Sequence, residues 1–370
     1  MLAEAGYRVR VLATTSTESR GEQSGREHLQ QMGVAAQVRR PSKPERARPE
    51  LFFERFGVEY RLVDTGRMPV WDWQKLYGRQ YDLAFDQELE AGGVDVLFTY
   101  GATPGDVKRR ARVRRRGVPA VFTLRNLGYL TPGSLEQVDH ILAASEFLTG
   151  RYRSVGVEST PLPLPVDSPD VIAEERDPRF VTMINPSPEK GLMFFARLAE
   201  ELSTVRPDIG ILVVESRGSA GLLTRAGLAG GFDLRRHANI MVSGPVETPR
   251  EIYAETRVLL APSVVEEAAG RVAAEALVNE IPCIASNRGG LAETLHGGGF
   301  VLPVPEGMTP DTPVPPEPMA VRAWVELIVR LYDDAEFYRQ ACERAREAAG
   351  RYKRAVLVEK YASYFDAIVR

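Results

Sequence analysis

Cysteine is almost absent from this 370-residue chain: Cys283 and Cys342 occur alone, with no CxxC pair. That excludes a disulfide framework and a zinc site of the usual spacing, and it points to a reducing cytoplasm. Histidine is scarce as well. His28, His140, His237 and His296 are scattered, which argues against a histidine-rich metal centre. No stretch approaches the roughly 18 consecutive apolar residues of a membrane span. The opening Met1–Arg8 has no apolar core after a basic head, so no signal peptide is expected. Strong charge of one sign is also missing, the net value being −3. Residues 1–166 hold 24 Lys and Arg against 20 Asp and Glu, so the acid excess belongs to the remainder.

What is present is an alternation of short apolar runs with amphipathic stretches, the pattern of parallel αβ units. The first series of expected strands is Arg8–Ala13, Glu59–Val63, Val94–Tyr100, Ala120–Leu124 and His140–Ala144, with a helix over Trp73–Ala91. Ser16–Pro49, polar and rich in charge, Gly and Pro, reads as a long mobile loop with room for one short helix. A second series follows: Phe180–Ile184, Ile209–Val214, Ile240–Val242, Val258–Ala261, Cys283–Ala285 and Gly299–Leu302. Its helices are expected at Gly191–Leu202, Pro249–Glu255, Gly270–Asn279 and Leu291–Leu295. Thr160–Pro169, with four prolines, is the stiff connector, and Pro303–Pro318 is a surface excursion before an almost wholly helical Ala320–Val369. The chain opens on Leu2–Tyr7, which reads as a helix end capped by Gly6, so the first strand of a doubly wound domain is missing.

Three segments carry candidate chemistry. In Pro262–Leu277 a buried strand ends at Ala261, an acidic loop follows and a helix starts near Gly270. Free N–H groups at such a helix start form an anion site where αβ proteins bind ligands. Glu267 stands at its mouth, and Glu275 could accept two ribose hydroxyls; the plain alternative is two solvated glutamates. In Asn185–Leu192, Lys190 can present an ammonium to a diphosphate, or simply sit in water at a helix start. In Ala285–Glu293, the paired Gly289 and Gly290 permit close backbone approach to a ligand, or make a tight strand-to-helix turn.

Together these segments resemble the retaining GT-B glycosyltransferases of family 4, in order and spacing. The shared features are the Lys190-Gly191 loop, Glu267 and Glu275 with seven residues between them, and Pro282–Glu293 in the pattern P-x-(I/V)-A-S-x-x-G-G-x-x-E. A fainter likeness runs through Gly117–Asn126 and Ile141–Leu148. The resemblance implies an α/β, GT-B fold: two Rossmann-like, doubly wound parallel-sheet domains facing a cleft. The domains would be 1–166 on the acceptor side and 167–350 on the nucleotide-sugar side, with a terminal helix at 351–370 packing back on the first. It implies sugar transfer from a nucleotide-sugar donor to an acceptor hydroxyl with retention. Lys190 and Glu267 would be catalytic; Glu275, Gly270, Arg271, Asn185, Gly289 and Gly290 would bind the donor; Arg125 and Asn126 would lie on the acceptor side. The chain has no Asp-x-Asp pair, so no cofactor and no metal is expected.

Four departures accompany the likeness. Asn185 replaces the Arg that relatives carry five residues before the lysine, Ala269 replaces an aromatic, and Arg125 replaces a His. The missing first strand would have carried a glycine-rich loop. A non-catalytic nucleotide-sugar-binding protein, or less favourably a nucleotide-sugar epimerase, is the alternative. The acceptor itself is open: a saccharide, a lipid-linked saccharide or a small metabolite.

Lys108–Arg116 holds seven basic residues in nine. A solvated helix face is the favoured reading; the sharper one is a contact with anionic lipid headgroups, which would put a cytoplasmic protein at the inner membrane face. No aromatic residues interleave the run, so no nucleic acid is expected. Trp71 and Trp73 could stack on a sugar ring but read better as packing residues.

Overall fold

The computed structural model describes residues 1–16, 24–42, 47–131, 133–246 and 248–369. The chain forms two compact units. One is Met1–Thr123 with Tyr129–Ile141 and Val358–Arg370; the other is Leu124–Gly128 with Leu142–Leu357. The division therefore does not fall at residue 166, and the segment 142–166 goes with the second unit.

In the first unit, the N–H of Tyr7 donates to the Leu2 carbonyl and that of Gly6 to Ala3, each at 3.1 Å, with Gly6 at φ 89°. These are the two bonds of a Schellman end, which turns the chain into β1 (Val9–Thr14). Next come α1 (Gly25–Gln31), β2 (Gln37–Arg39), β3 (Glu50–Arg55) and β4 (Val58–Val63). They make a sheet in the order β1-β4-β3-β2 in which β1 is parallel to β4 but β3 is antiparallel to both its neighbours.

That antiparallel arm departs from the all-parallel expectation, and β2 lies in what reads as loop. Residues 17–23 and 43–46 of that stretch fall outside the described residues. A two-residue turn, Phe56-Gly57, joins β3 to β4 with φ of 53° and 70°. Positive φ at both positions is the type I′ hairpin geometry. Asn or Asp normally announces it; Phe56 does not.

Then follow α2 (Val70–Glu90), β5 (Leu97–Thr99), α3 (Pro104–Arg114), β6 (Ala120–Leu124) and β7 (His140–Ala143), and after them α4 (Glu146–Arg153) and β8 (Thr160–Pro161), which belong to the second unit. The second sheet has the order β5-β6-β7-β8. β1 and β5 are thus end strands of separate sheets. Among the described residues no strand joins the two, although Leu12 and Leu97 pack on one cluster of Phe85, Val113 and Ala120.

The basic run lies in α3 and just beyond it, and the expectation of a solvated face fails for two of its arginines. Arg109 and Arg110 are buried. Arg109 pairs with Asp82 and Asp106, both at 2.8 Å, while Arg110 donates to the carbonyls of Gly101, Ser134 and Glu136. Arg112 pairs with Asp86 at 3.1 Å and Arg114 with Asp139 at 2.9 Å. Lys108, Arg115 and Arg116 are exposed. Trp73 is buried, 5.0 Å from the Tyr81 ring; the Trp71 side chain lies outside the description.

The second unit runs β9 (Phe180–Ile184), α5 (Leu192–Val205), β10 (Ile211–Val214), α6 (Ala220–Ala229), β11 (Ile240–Ser243), α7 (Arg250–Glu255), β12 (Thr256–Ala261), α8 (Arg271–Val278), β13 (Cys283–Ser286), α9 (Leu291–Leu295) and β14 (Phe300–Leu302). α10 (Arg322–Asp333) and α11 (Ala335–Ala349) follow, then α12 (Arg354–Val369). From Val358 the last helix belongs to the first unit, where Tyr7 donates to the Ala362 carbonyl at 2.9 Å and Phe365 packs on Phe98. The six strands pair in parallel in the order β11-β10-β9-β12-β13-β14. Numbered within the unit that is 3-2-1-4-5-6, the doubly wound Rossmann order. Its core gathers Phe194, Phe195, Leu198 and Trp324 against Val181, Met183, Val258 and Leu260. Among the described residues no helix is long and apolar enough to cross a membrane.

Candidate functional site

In a 3-2-1-4-5-6 sheet the winding reverses between its first and fourth strands, and the loops leaving their carboxyl ends diverge there. Here those strands are β9 and β12, and the loops are 185–191 and 262–270. Both are built for close contact. Gly191 has φ 85°, and a Cβ on it would meet the Pro262 carbonyl oxygen at 2.0 Å. Only glycine fits there. The N–H of Val264 then donates to the Glu189 carbonyl at 3.1 Å and ties the loops together.

Lys190 and Glu267 meet across this junction: the ammonium donates to Glu267 Oε1. Ser263, 2% exposed, donates to the same oxygen at 2.5 Å, and its own carbonyl accepts from Ser286 at 2.7 Å. The Lys190 side chain is 34% exposed and that of Glu267 14%, so the pair is partly desolvated yet open on the lysine side.

Glu275 sits farther along α8 and is buried. Tyr253 donates to its Oε2 and Arg271 to its Oε1, both at 2.6 Å. Burial first, and then the Glu275 charge, push the Tyr253 pKa well above its ordinary value, so this hydroxyl stays a donor. The Arg271 side chain is 64% exposed. One carboxylate oxygen is therefore fixed from inside, and the other meets a group at the surface. No side chain caps α8, whose N-cap is Gly270 at φ 66°; a Cβ there would strike Leu291 at 2.3 Å.

Gly289 and Gly290 serve the acidic loop itself. A Cβ on Gly289 would lie 2.4 Å from the Glu267 nitrogen, and one on Gly290 2.7 Å from the Ala268 carbonyl oxygen. Gly289 forms a parallel bridge with Glu267, and the Gly290 N–H donates to the Glu267 carbonyl at 2.8 Å. The close approach foreseen for a ligand is made by chain. Ser145 and Thr294 also hold this loop, donating to the carbonyls of Ala268 and Ala269. Glu293, the last residue of the same motif, accepts the N–H groups of Glu146 and Phe147 at 2.8 Å each and so caps α4.

Asn185 follows β9 at φ 60°, and its side-chain oxygen accepts the Gly218 N–H at 2.7 Å. It braces the neighbouring loop after β10. Arg125 and Asn126 are exposed. The Asn126 side chain accepts the Gly128 N–H at 2.8 Å, closing its own turn.

The structure brings Lys190, Glu267, Gly289 and Gly290 together at the acidic loop, and separately pairs Glu275 with Arg271 on α8, the helix that Gly270 begins. Ser263 and Tyr253 were missed. Ser263 is four residues from Glu267 and visible in principle, whereas Tyr253 reaches Glu275 from another helix and leaves no local signal. Chemically the site offers an ammonium, two carboxylates and an uncapped helix start at the carboxyl edge of a parallel sheet. Among the described residues no group of three His, Cys, Asp or Glu could hold a metal.

Comparison with known proteins bears on both fold and site. No curated protein sequence matches the chain significantly. A sucrose-phosphate synthase from Thermosynechococcus elongatus shares the fold at TM-score 0.67 and 16% identity, over 99% of this chain and 90% of its own. A glycosyltransferase from Rickettsia africae aligns at TM-score 0.68 and 14% identity, over 100% and 92%. Anabaena HepE, solved with UDP and glucose, aligns at 0.61 and 14%, over 97% and 100%. The fold is GT-B, with two Rossmann-like domains. Residues 178–334, which contain Lys190, Glu267 and Glu275, match the family model of glycosyl transferases group 1, and the site described above lies within that matched stretch.

Proposed function

We propose that the protein transfers a sugar from a nucleotide-diphosphate sugar to an acceptor hydroxyl, with retention of configuration and without a metal. The observation that carries this reading is the Lys190–Glu267 pair at the junction of the loops after β9 and β12, within the matched domain. A diphosphate leaving group develops negative charge as the sugar departs. Fixed positive charge aimed at it lowers the barrier, because the groups need no reorganisation during the reaction. Lys190 and the uncapped start of α8 supply that charge; Lys190 would exchange Glu267 for phosphate. Glu267, still held by Ser263, would then take sugar hydroxyls. Glu275 would receive the ribose hydroxyls through the oxygen that Arg271 occupies, while Tyr253 keeps the other fixed. No residue is assigned as a covalent nucleophile.

HepE with UDP and glucose makes UDP-glucose the first donor to try. Melting of the protein with UDP, GDP, ADP and TDP, free and as sugar conjugates, tests the site. A ligand at 100 times its dissociation constant adds about 2.7 kcal/mol, a rise of several degrees. One nucleotide is expected to give that rise and Glu275→Ala to lose it. Absence of any shift across the series overturns the assignment. Product anomers read by NMR test retention, and transfer unchanged in EDTA tests metal independence. Binding without product would instead make the chain a nucleotide-sugar-binding protein. A peripheral membrane contact through Lys108–Arg116 would rest chiefly on the exposed Lys108, Arg115 and Arg116.

A further inference from the structure

The first unit holds a cavity that none of the reading above uses. It measures about 630 Å³ and is lined by Arg48, Thr65, Gly66, Arg67, Met68, Pro69, Asp72 and Leu76. That volume lies inside the roughly 300–1,000 Å³ of small-molecule sites. Its place is also telling. Thr65–Pro69 leave the carboxyl end of β4, which runs parallel to β1, and open αβ sheets take ligands at carboxyl ends.

Its polar groups are held in position from behind. Gln80, 1% exposed, bonds both the N–H and the carbonyl of Arg48, at 2.8 and 2.9 Å. Arg48 Nε donates to the Asp64 carbonyl at 2.8 Å. This spends one edge of the guanidinium and fixes the remainder at the cavity wall. Gly66 has φ 68°, and a Cβ there would come within 3.0 Å of Arg48 Nη2, so the glycine keeps that nitrogen uncovered. The floor is locked as well. Thr65 is 3% exposed, with its hydroxyl 2.8 Å from Ser16 Oγ and 3.3 Å from Thr15 Oγ1. Asp64 accepts the Gly66 N–H at 3.0 Å. Arg67 is open to solvent: its side chain is 57% exposed and meets Glu27 at 3.4 Å.

Among the described lining residues two guanidinium groups stand against one carboxylate, Asp72, with Glu27 paired to Arg67 from outside the lining and an apolar wall of Met68, Pro69 and Leu76. Guanidinium forks match the geometry of phosphate oxygens. We propose that this cavity binds a phosphate-bearing, hydroxylated ligand: phosphate on Arg48 and Arg67, a hydroxyl on Asp72, the ligand body on the apolar wall. If the protein is a glycosyltransferase, as argued above, this ligand is its acceptor. The phosphate could belong to a free sugar phosphate or to a lipid.

Calorimetry with glucose 6-phosphate, inorganic phosphate and glucose tests the free source. Co-sedimentation with phosphatidylcholine vesicles, with and without phosphatidic acid, tests the lipid source. Binding of either phosphate form is expected, with glucose alone inert. Arg67→Gln and Arg48→Lys should weaken it about tenfold or more, since a charge-assisted bond is lost. Arg322→Gln, an arginine of α10 that is 65% exposed and far from the cavity in sequence, should leave it unchanged. Failure of both phosphate sources to bind overturns the proposal, as does equal weakening by Arg322→Gln or no weakening by either cavity variant. The nucleotide melting shift of Arg67→Gln is read in parallel. A normal shift with no phosphate binding sinks the cavity alone, whereas loss of the shift in the wild-type protein sinks the donor site and leaves phosphate binding to be judged separately.

Discussion

The second unit buries its sheet beneath Phe194, Phe195 and Trp324, whereas the first places Arg110, Glu50, Asp64 and Gln80 among its buried residues. One unbroken sheet with helices on both faces gives apolar side chains a continuous layer to fill. Two separate sheets, each ending at a strand with an open edge, leave more backbone groups for side chains to satisfy. Arg10 and Tyr81 do so around β1: Tyr81 donates to the Leu12 carbonyl at 2.9 Å, and Arg10 bridges to Glu88 and Gly92. The difference teaches where each unit's tolerance lies. The second can lose a surface charge and keep its site; the first depends on charged groups for its shape.

The strongest test of this contrast is Trp324→Ala. Its ring is 1% exposed, packs edge-on to Phe194 at 5.2 Å and donates to the Pro303 carbonyl. Loss of about 3–5 kcal/mol is expected, read as faster hydrogen exchange in β9 and β12 with β6 unchanged. Next is Arg110→Met in the first unit. Three backbone carbonyls lose their donor, and about 2–4 kcal/mol should follow, because buried acceptors left unpaired carry their full desolvation cost. Its signature is faster exchange in β6 with β9 unchanged. A neutral result would mean that the polar interior is incidental and that the units do not differ in kind.

The smallest effect concerns Asp106, which closes a capping box with Thr103 at the start of α3 and pairs with Arg109. Burial alone would raise its pKa, but the bonds from Arg109 and Thr103 outweigh it and leave the value lowered. A depressed carboxylate contributes in full above its ordinary value of 3.8 and loses that contribution as pH falls through the lower folded-state value. Asp106→Asn should therefore cost about 1 kcal/mol near neutrality. The gap from the wild type should close below pH 3.8 in a melting series. A gap that persisted there would show packing rather than charge at work.

Much of the second unit was legible in advance. All six strands and the four helices foreseen there appear with shifts of one to three residues at their ends, because the central strands are buried and read as apolar runs. α6 was passed over, its small apolar residues giving little periodicity. In the first unit, α3 had a start signal in Thr103-Pro-Gly-Asp106, but its arginines drew attention to solvent instead. β3 escaped because Phe56 stands where a hairpin usually shows Asn.

The sequence by itself determined the order of the strands in the second unit, the positions of Lys190, Glu267 and Glu275 at or near strand-to-helix turns, and the placing of glycine at 191, 270, 289 and 290 beside them. These are local matters of periodicity, spacing and backbone freedom. Only the tertiary structure decided what the glycines make room for, since their close neighbours come from other loops. It alone showed that Ser263 and Lys190 share one oxygen of Glu267, that Tyr253 holds Glu275, and that Arg109 and Arg110 point inward. Most of these contacts join residues far apart in the chain, and their geometry is set by packing that no local pattern encodes.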